Sequence, residues 1–293
     1  MQKKNIFSFS NEFIKNHYYS GYQKENWIQK EFKNDFIIIN LEDYHIKLRN
    51  AIIDILLDKK IIQHTISLEN LHFYLSNELK TYGNDGISKI STLFYETNES
   101  FTKIFHKFIY NILYKKITKK PFLFQSTPTF RIHCPSSLNS EFFPHFHTDL
   151  ALGHPPYEIN LWIPLTQKLD GHGFYLAHLK TSREIAKYIN YNLPSLMDKK
   201  LFRDPNYLNF CYSKLFPTEV ECGEALMFDG RCFHTAMPIQ NHTRISIDFR
   251  IVLKEDFDQA EIIYENHGIR RQVPLLPESY YHNKMSDELI DYN

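Results

Sequence analysis

The run TRISIDFRIVL, Thr243 to Leu253, alternates two kinds of side chain with period two. Thr243, Ile245, Ile247, Phe249 and Ile251 fall on one face, and Arg244, Ser246, Asp248 and Arg250 on the other. Successive side chains of a strand point to opposite faces, so the segment reads as a strand with one apolar and one charged surface. Two arginines and an aspartate cannot be buried against hydrocarbon without partners. The polar face is therefore expected to line a cavity, and the apolar face to pack on helices.

The rest of the chain fits such a strand into a barrel. Before residue 120 the patterns are mostly helical. In NESFTKIFHKFIYNILYKKI, Phe101, Ile104, Phe105, Phe108, Ile109, Ile112, Leu113 and Ile117 recur at helical spacing, and Pro121 closes the run. Further helical patterns lie at about 43–58 and 68–80. After Pro121, short strands are punctuated by Pro and Gly: FLFQSTPTFRIHC, EINLWIPLT, GFYLAHL, TEVECGEALMFDG and FHTAMPI precede the alternating run. The expected fold class is mainly β with a helical N-terminal part, an antiparallel jelly-roll or cupin-like barrel flanked by α-helices. The expected layout is a helical region at 1–120 packing on the barrel, a barrel core at 121–253 with an insertion at 183–210, and a C-terminal tail at 254–293 that wraps and frays.

Lys plus Arg and Asp plus Glu number 34 each, so there is no basic footprint for nucleic acid and no polybasic membrane patch. No apolar run approaches the roughly 18 residues of a membrane span, and MQKKNIFSFSNEF lacks the apolar core of a signal peptide. The four cysteines (Cys134, Cys211, Cys222, Cys232) form neither a CxxC pair nor a dense framework, which suits a cytoplasmic location.

Chemistry concentrates in PHFHTDLALGHPP. His147 and Asp149 form an HxD pair whose side chains converge on one point if the segment is extended. Two ligands hold a metal poorly, and FDGRCFHTA offers a third, His234. Two histidines and one carboxylate on one face of a metal leave positions open, the arrangement expected of non-haem Fe(II) oxygenases. Ten residues further on, Arg244 supplies a guanidinium fork suited to a cosubstrate carboxylate. His145 is the competing ligand in position but not in spacing. His154 is expected on a loop at the surface or facing substrate, and His133 and His242 are expected to be structural. Arg250 competes with Arg244, with Asp248 or a pocket carboxylate as its other partner, and Arg131 is a further inward candidate for cosubstrate or substrate.

HTD…GHPPYEINLWIPLT…FDGRCFHTA…NHTRISIDFRI resembles the Fe(II)/2-oxoglutarate-dependent oxygenases, within them the phytanoyl-CoA dioxygenase-like superfamily and its StrG-type branch, over roughly residues 122–253. The resemblance implies a double-stranded β-helix with His147, Asp149 and His234 binding Fe(II) and Arg244 pairing with the C5 carboxylate of 2-oxoglutarate. It implies consumption of O2 and 2-oxoglutarate, with release of succinate and carbon dioxide, coupled to oxidation of a small-molecule substrate. It also implies that the strand bearing Asn160 and Trp162 lines the cosubstrate pocket. A sugar, nucleotide-linked sugar or aminocyclitol is the substrate expected from the StrG-type branch. GHGFYLAHLKTS stands where many relatives carry a PGSH-like turn, so substrate contacts do not carry over. Two other readings fit the residues: a cupin-like metalloenzyme with no use for Arg244, and a non-catalytic barrel module that tolerates loss of Asp149.

Overall fold

The computed structural model describes residues 4–5, 10–20, 35–82, 88–95, 99–135, 147–167, 173–193, 204–236, 241–266 and 273–292. In chain order the strands are β1 (Lys4–Asn5), β2 (Phe36–Asn40), β3 (Phe122–Phe124), β4 (Thr129–His133), β5 (Ile159–Pro164), β6 (Phe174–Leu176), β7 (Phe216–Pro217), β8 (Glu224–Asp229), β9 (His234–Ala236), β10 (Arg244–Leu253) and β11 (Ile262–Ile263), followed by a short pair in the C-terminal segment. The α-helices are α1 (Asn11–Tyr19), α2 (Tyr44–Asp58), α3 (Lys89–Thr92), α4 (Glu99–Phe108), α5 (Leu179–Tyr188), α6 (Pro205–Tyr212) and α7 (Lys254–Gln259).

Two antiparallel sheets build the centre. The larger runs β2-β8-β5-β10-β3, with β4 also paired to β10, and the smaller runs β7-β6-β9. Both β3 and β4 lie along β10, at Ile251↔Phe124 and Ser246↔Arg131 respectively, while β5 takes the other edge at Arg250↔Asn160. The alternation of β10 sorts its side chains as its sequence requires. Ile245, Ile247, Phe249 and Ile251 join Leu161 and Ile163 in the principal core against Leu48, Ile52, Phe105 and Phe108 of α2 and α4. On the opposite face, Trp162, Leu226 and Phe228 pack on Phe174 and Leu176 of the smaller sheet. The space between the sheets is thus part apolar and part charged.

Helix α4 does not stop at Phe108. It widens into π-helical turns over Ile109–Thr118 that keep Ile109, Ile112 and Leu113 buried, and it ends where Lys119 takes φ 53. The helical pattern expected at 68–80 shrinks to a 3₁₀ segment, Leu68–Phe73. The mostly helical N-terminal region also contains a strand that was not expected: β2 lies within 1–120 and forms an edge of the larger sheet, with Ile37 and Ile39 buried and Ile38 exposed. Three consecutive isoleucines carry no readable period, so a strand there is indistinguishable from a helix fragment.

The C-terminal segment is built in rather than frayed. Leu275, Tyr280 and Tyr281 pack with Leu123, Tyr157 and Val252, and Leu289 is fully buried in the principal core. Backbone bonds from Ser126 N–H to Tyr280 O (3.0 Å) and from His282 N–H to Phe124 O (2.8 Å) register it beside β3. None of the four cysteines forms a disulfide. Among the described residues no helix is long and apolar enough to cross a membrane. Of the 183–210 insertion, α5 and α6 are described; residues 194–203 lie outside the described residues.

Candidate metal centre

His147 and His234 are brought together by their backbones. His147 N–H donates to His234 O (3.0 Å) and His234 N–H to His147 O (2.9 Å), so the imidazoles stand side by side with ring centroids 4.4 Å apart. Two residues on, the chain turns: Asp149 opens a 3₁₀ turn that ends at Gly153, whose φ of 85 suits glycine. Asp149 N–H and Thr148 Oγ1 both donate to Gly230 O, at 3.0 Å each, fastening the HxD segment to the turn before His234. Gly230 has little room for a side chain, since a Cβ there would lie 3.3 Å from the Glu158 carbonyl oxygen and 3.5 Å from Asn160 Oδ1.

The three side chains meet. His147, Asp149 and His234 each present a ligand atom, all within 4.8 Å of one another, and His234 Nε2 is 4.0 Å from Asp149 Oδ1. His234 Nδ1 lies 3.0 Å from Cys232 O and donates to it, which fixes the tautomer and leaves Nε2 unprotonated. Burial, opposed by Asp149, holds the His234 pKa below its ordinary value and keeps the ring neutral, as a ligand must be.

Asp149 is 1 % exposed. Burial alone would push its carboxyl up, but Arg250, together with His154 and His234, holds it far below the usual carboxylate range. Its two oxygens have different roles. Oδ2 accepts from Arg250 Nε at 2.7 Å, while Oδ1 is buried with no hydrogen-bond partner among the described residues. A buried carboxylate oxygen left unbonded beside two imidazole nitrogens fits a divalent cation and little else.

The cavity beside this cluster is lined from both sheets, by Asn160, Trp162, Asp248 and Arg250 on one side and Phe174 and His234 on the other. Arg131, His133 and Ser246 extend the polar wall. Trp162 has two roles: it faces the cavity and stacks on Phe174 at 5.0 Å. Arg131 is spoken for by Asp248, its Nε 2.9 Å from Oδ1. Arg244 lies at the far end of the same face of β10, across from His133, and is not among the cavity-lining residues. Burial lowers its pKa to about 10.

His154, expected on a loop at the surface or facing substrate, is not at the surface. It is buried, its Nδ1 donating to Glu158 Oε2 at 2.6 Å, and Glu158 in turn accepts from Tyr281 Oη. The sequence reasoning missed Glu158, Tyr280 and Tyr281; the four-residue spacing of His154 and Glu158 was the only local signal. His145 lies outside the described residues. On the opposite side of the centre, Arg231 pairs with Asp229 (2.8 Å) and donates to Ser20 O (3.1 Å), which clamps the end of α1 to the turn carrying Gly230.

No family model matches the chain. The streptomycin biosynthesis protein StrG of Streptomyces griseus is similar to it, 21% identical over 196 residues that cover 66% of this chain and 77% of StrG. Among solved structures, HygX from Streptomyces hygroscopicus with nickel and 2-oxoglutarate bound matches with TM-score 0.42 and 12% identity, covering 76% of this chain and 85% of HygX. The non-haem alpha-ketoglutarate-dependent epimerase SnoN from nogalamycin biosynthesis matches with TM-score 0.40 and 9% identity, covering 86% and 96%.

Proposed function

We propose that this chain is an Fe(II)- and 2-oxoglutarate-dependent oxygenase of the phytanoyl-CoA dioxygenase-like superfamily, with a double-stranded β-helix as its core. The observation that carries the reading is the His147–Asp149–His234 cluster, its aspartate and second histidine buried and one carboxylate oxygen unbonded, opening on a cavity walled by charged residues. Strand order supports the fold: a larger sheet and a smaller one, with the first histidine joined to β9.

When bound, Fe(II) supplies the open coordination positions that a keto acid and dioxygen require. The protein's residues do the rest. Arg250 fixes one oxygen of Asp149 and leaves the other unbonded, so that oxygen would be the one available to hold the metal. The Cys232 carbonyl holds the His234 tautomer. Arg244, a cation whose burial is costly, takes the distal carboxylate of 2-oxoglutarate, with Ser246 next along the same face. Asn160 and Arg131 contribute polar contacts along that wall, while Trp162, Phe174 and Phe228 exclude water from the reacting atoms.

The substrate is a small polar metabolite, and the oxidation is a hydroxylation. The likeness to a streptomycin biosynthesis protein supports a sugar, nucleotide-linked sugar or aminocyclitol. The test is turnover: with Fe(II), 2-oxoglutarate and oxygen, the protein should form succinate, faster with a panel of aminocyclitols and sugars. His147→Ala and Asp149→Ala should abolish it. Succinate formation that survives Asp149→Ala would remove the basis of the reading.

A further inference from the structure

The C-terminal segment reaches the candidate metal centre through two buried chains of hydrogen bonds, and both begin at adjacent tyrosines. Tyr280 Oη donates to Gln125 Oε1 at 2.9 Å, and Arg250 Nη1 donates to the same oxygen at 3.3 Å. Gln125 cannot turn its amide round without loss, because its Nε2 donates to Thr127 O at 2.8 Å. Arg250 then holds Asp149 through Nε. The second chain starts at Tyr281 Oη, which donates to Glu158 Oε1; Glu158 Oε2 accepts from His154 Nδ1, and His154, Glu158 and Asp149 all place ligand-type atoms within 4.8 Å of one another. His154 is also tied to Asp149 by a backbone bond, His154 N–H to Asp149 O, 3.1 Å.

Every side chain in these two paths is buried, from Glu158 at 0 % exposure to Tyr280 at 9 %. Burying two tyrosines, a glutamate, a histidine and an arginine beside a ligand carboxylate is costly unless each is satisfied, and here each satisfies the next. Packing alone would be served better by phenylalanine and leucine. The hydroxyls matter because they fix Gln125, whose oxygen is shared with the Arg250 that grips Asp149, and Glu158, which holds the His154 ring beside the same carboxylate.

We infer that Tyr280 and Tyr281 are positioning residues for Asp149, acting through Gln125–Arg250 and through Glu158–His154. The C-terminal segment is therefore a working part of the metal centre rather than a wrapping. The inference rests on the reading of His147, Asp149 and His234 as metal ligands. It adds that residues some 130 positions away in sequence set the affinity and geometry of that site.

The experiment uses the full chain, freed of metal and titrated anaerobically with Fe(II), then loaded with Co(II) for its visible ligand-field spectrum. Tyr280→Phe and Tyr281→Phe each remove one hydroxyl and keep the ring. Neither hydroxyl touches a ligand directly, so each loss is expected to weaken Fe(II) binding about threefold to tenfold, at or below the scale for a ligand's direct partner, and to shift or rescale the Co(II) bands. Far-UV circular dichroism should be unchanged. A structural role alone would lower the unfolding temperature and leave the Co(II) spectrum as it was. Fe(II) affinity within twofold of the parent and an unaltered Co(II) spectrum in both variants would overturn the inference while the metal-site reading stands. A parent protein that binds neither metal would overturn both. Should Tyr281→Phe fail to fold, Tyr280→Phe decides alone, since its path is separate.

Discussion

Arg250 Nε sits 2.7 Å from Asp149 Oδ2, both side chains almost wholly buried, so a strand in the larger sheet holds a carboxylate carried by a turn outside it. Neither charge is tolerable there without the other. The arginine's charged form is reinforced well beyond its ordinary range, mainly by Asp149 working against burial.

Removing one partner strands the other. Arg250→Met in the metal-free protein should cost about 3–5 kcal/mol, the scale for breaking a buried pair, as read by urea denaturation. Adding Asp149→Asn to it should recover much of that loss, since no uncompensated carboxylate remains. A single-variant loss under 1 kcal/mol would mean that the pair carries no stability.

Gly230→Ala places a methyl group 3.3 Å from the Glu158 carbonyl and close to Asp149 Cβ. Such crowding costs about 1–3 kcal/mol, and here it also pushes on a ligand. The variant should melt lower and bind Fe(II) more weakly. Equal binding by calorimetry would show that the turn has slack.

Acid should destabilise the metal-free protein in two stages. Burial lowers the pKa of His17 and His106 to about 4, from an ordinary 6.5. Between those values the unfolded chain binds more protons, so stability falls as pH drops from 6.5 towards 4, by at most about 1.4 kcal/mol per pH unit for each such histidine. His106→Leu should flatten part of that slope in a denaturation series. Below about pH 4 the depressed Asp149 carboxyl adds its own loss, because its contribution is complete above the unfolded-state value and disappears as it is protonated.

Much of this was written in the chain. The period-two run at 243–253 gave both faces of β10 correctly because a strand half exposed to a polar cavity has to alternate. His147, Asp149 and His234 bring ligand-type atoms within 4.8 Å of one another, although Asp149 opens a 3₁₀ turn instead of continuing an extended segment. The sequence did not show β2, where three isoleucines have no period. It also gave the wrong surroundings for His154: burial of that ring depends on Glu158 and Tyr281, and Tyr281 lies on a segment whose own pattern is too polar and irregular to look like core.

The cosubstrate role proposed for Arg244 would separate the oxygenase from a cupin-like metalloenzyme. Arg244→Ala should raise the dissociation constant for 2-oxoglutarate at least tenfold and leave Fe(II) affinity within a factor of two, by equilibrium titration. Unchanged 2-oxoglutarate affinity would move the carboxylate to a cation that does line the cavity, Arg131 first.

The most direct measurement is an anaerobic one: Fe(II), then 2-oxoglutarate, added to metal-free protein while the visible spectrum is recorded. The account predicts a saturable metal-to-ligand charge-transfer band that His234→Ala and Asp149→Ala both abolish. Tight Fe(II) binding with no band on adding 2-oxoglutarate would contradict it.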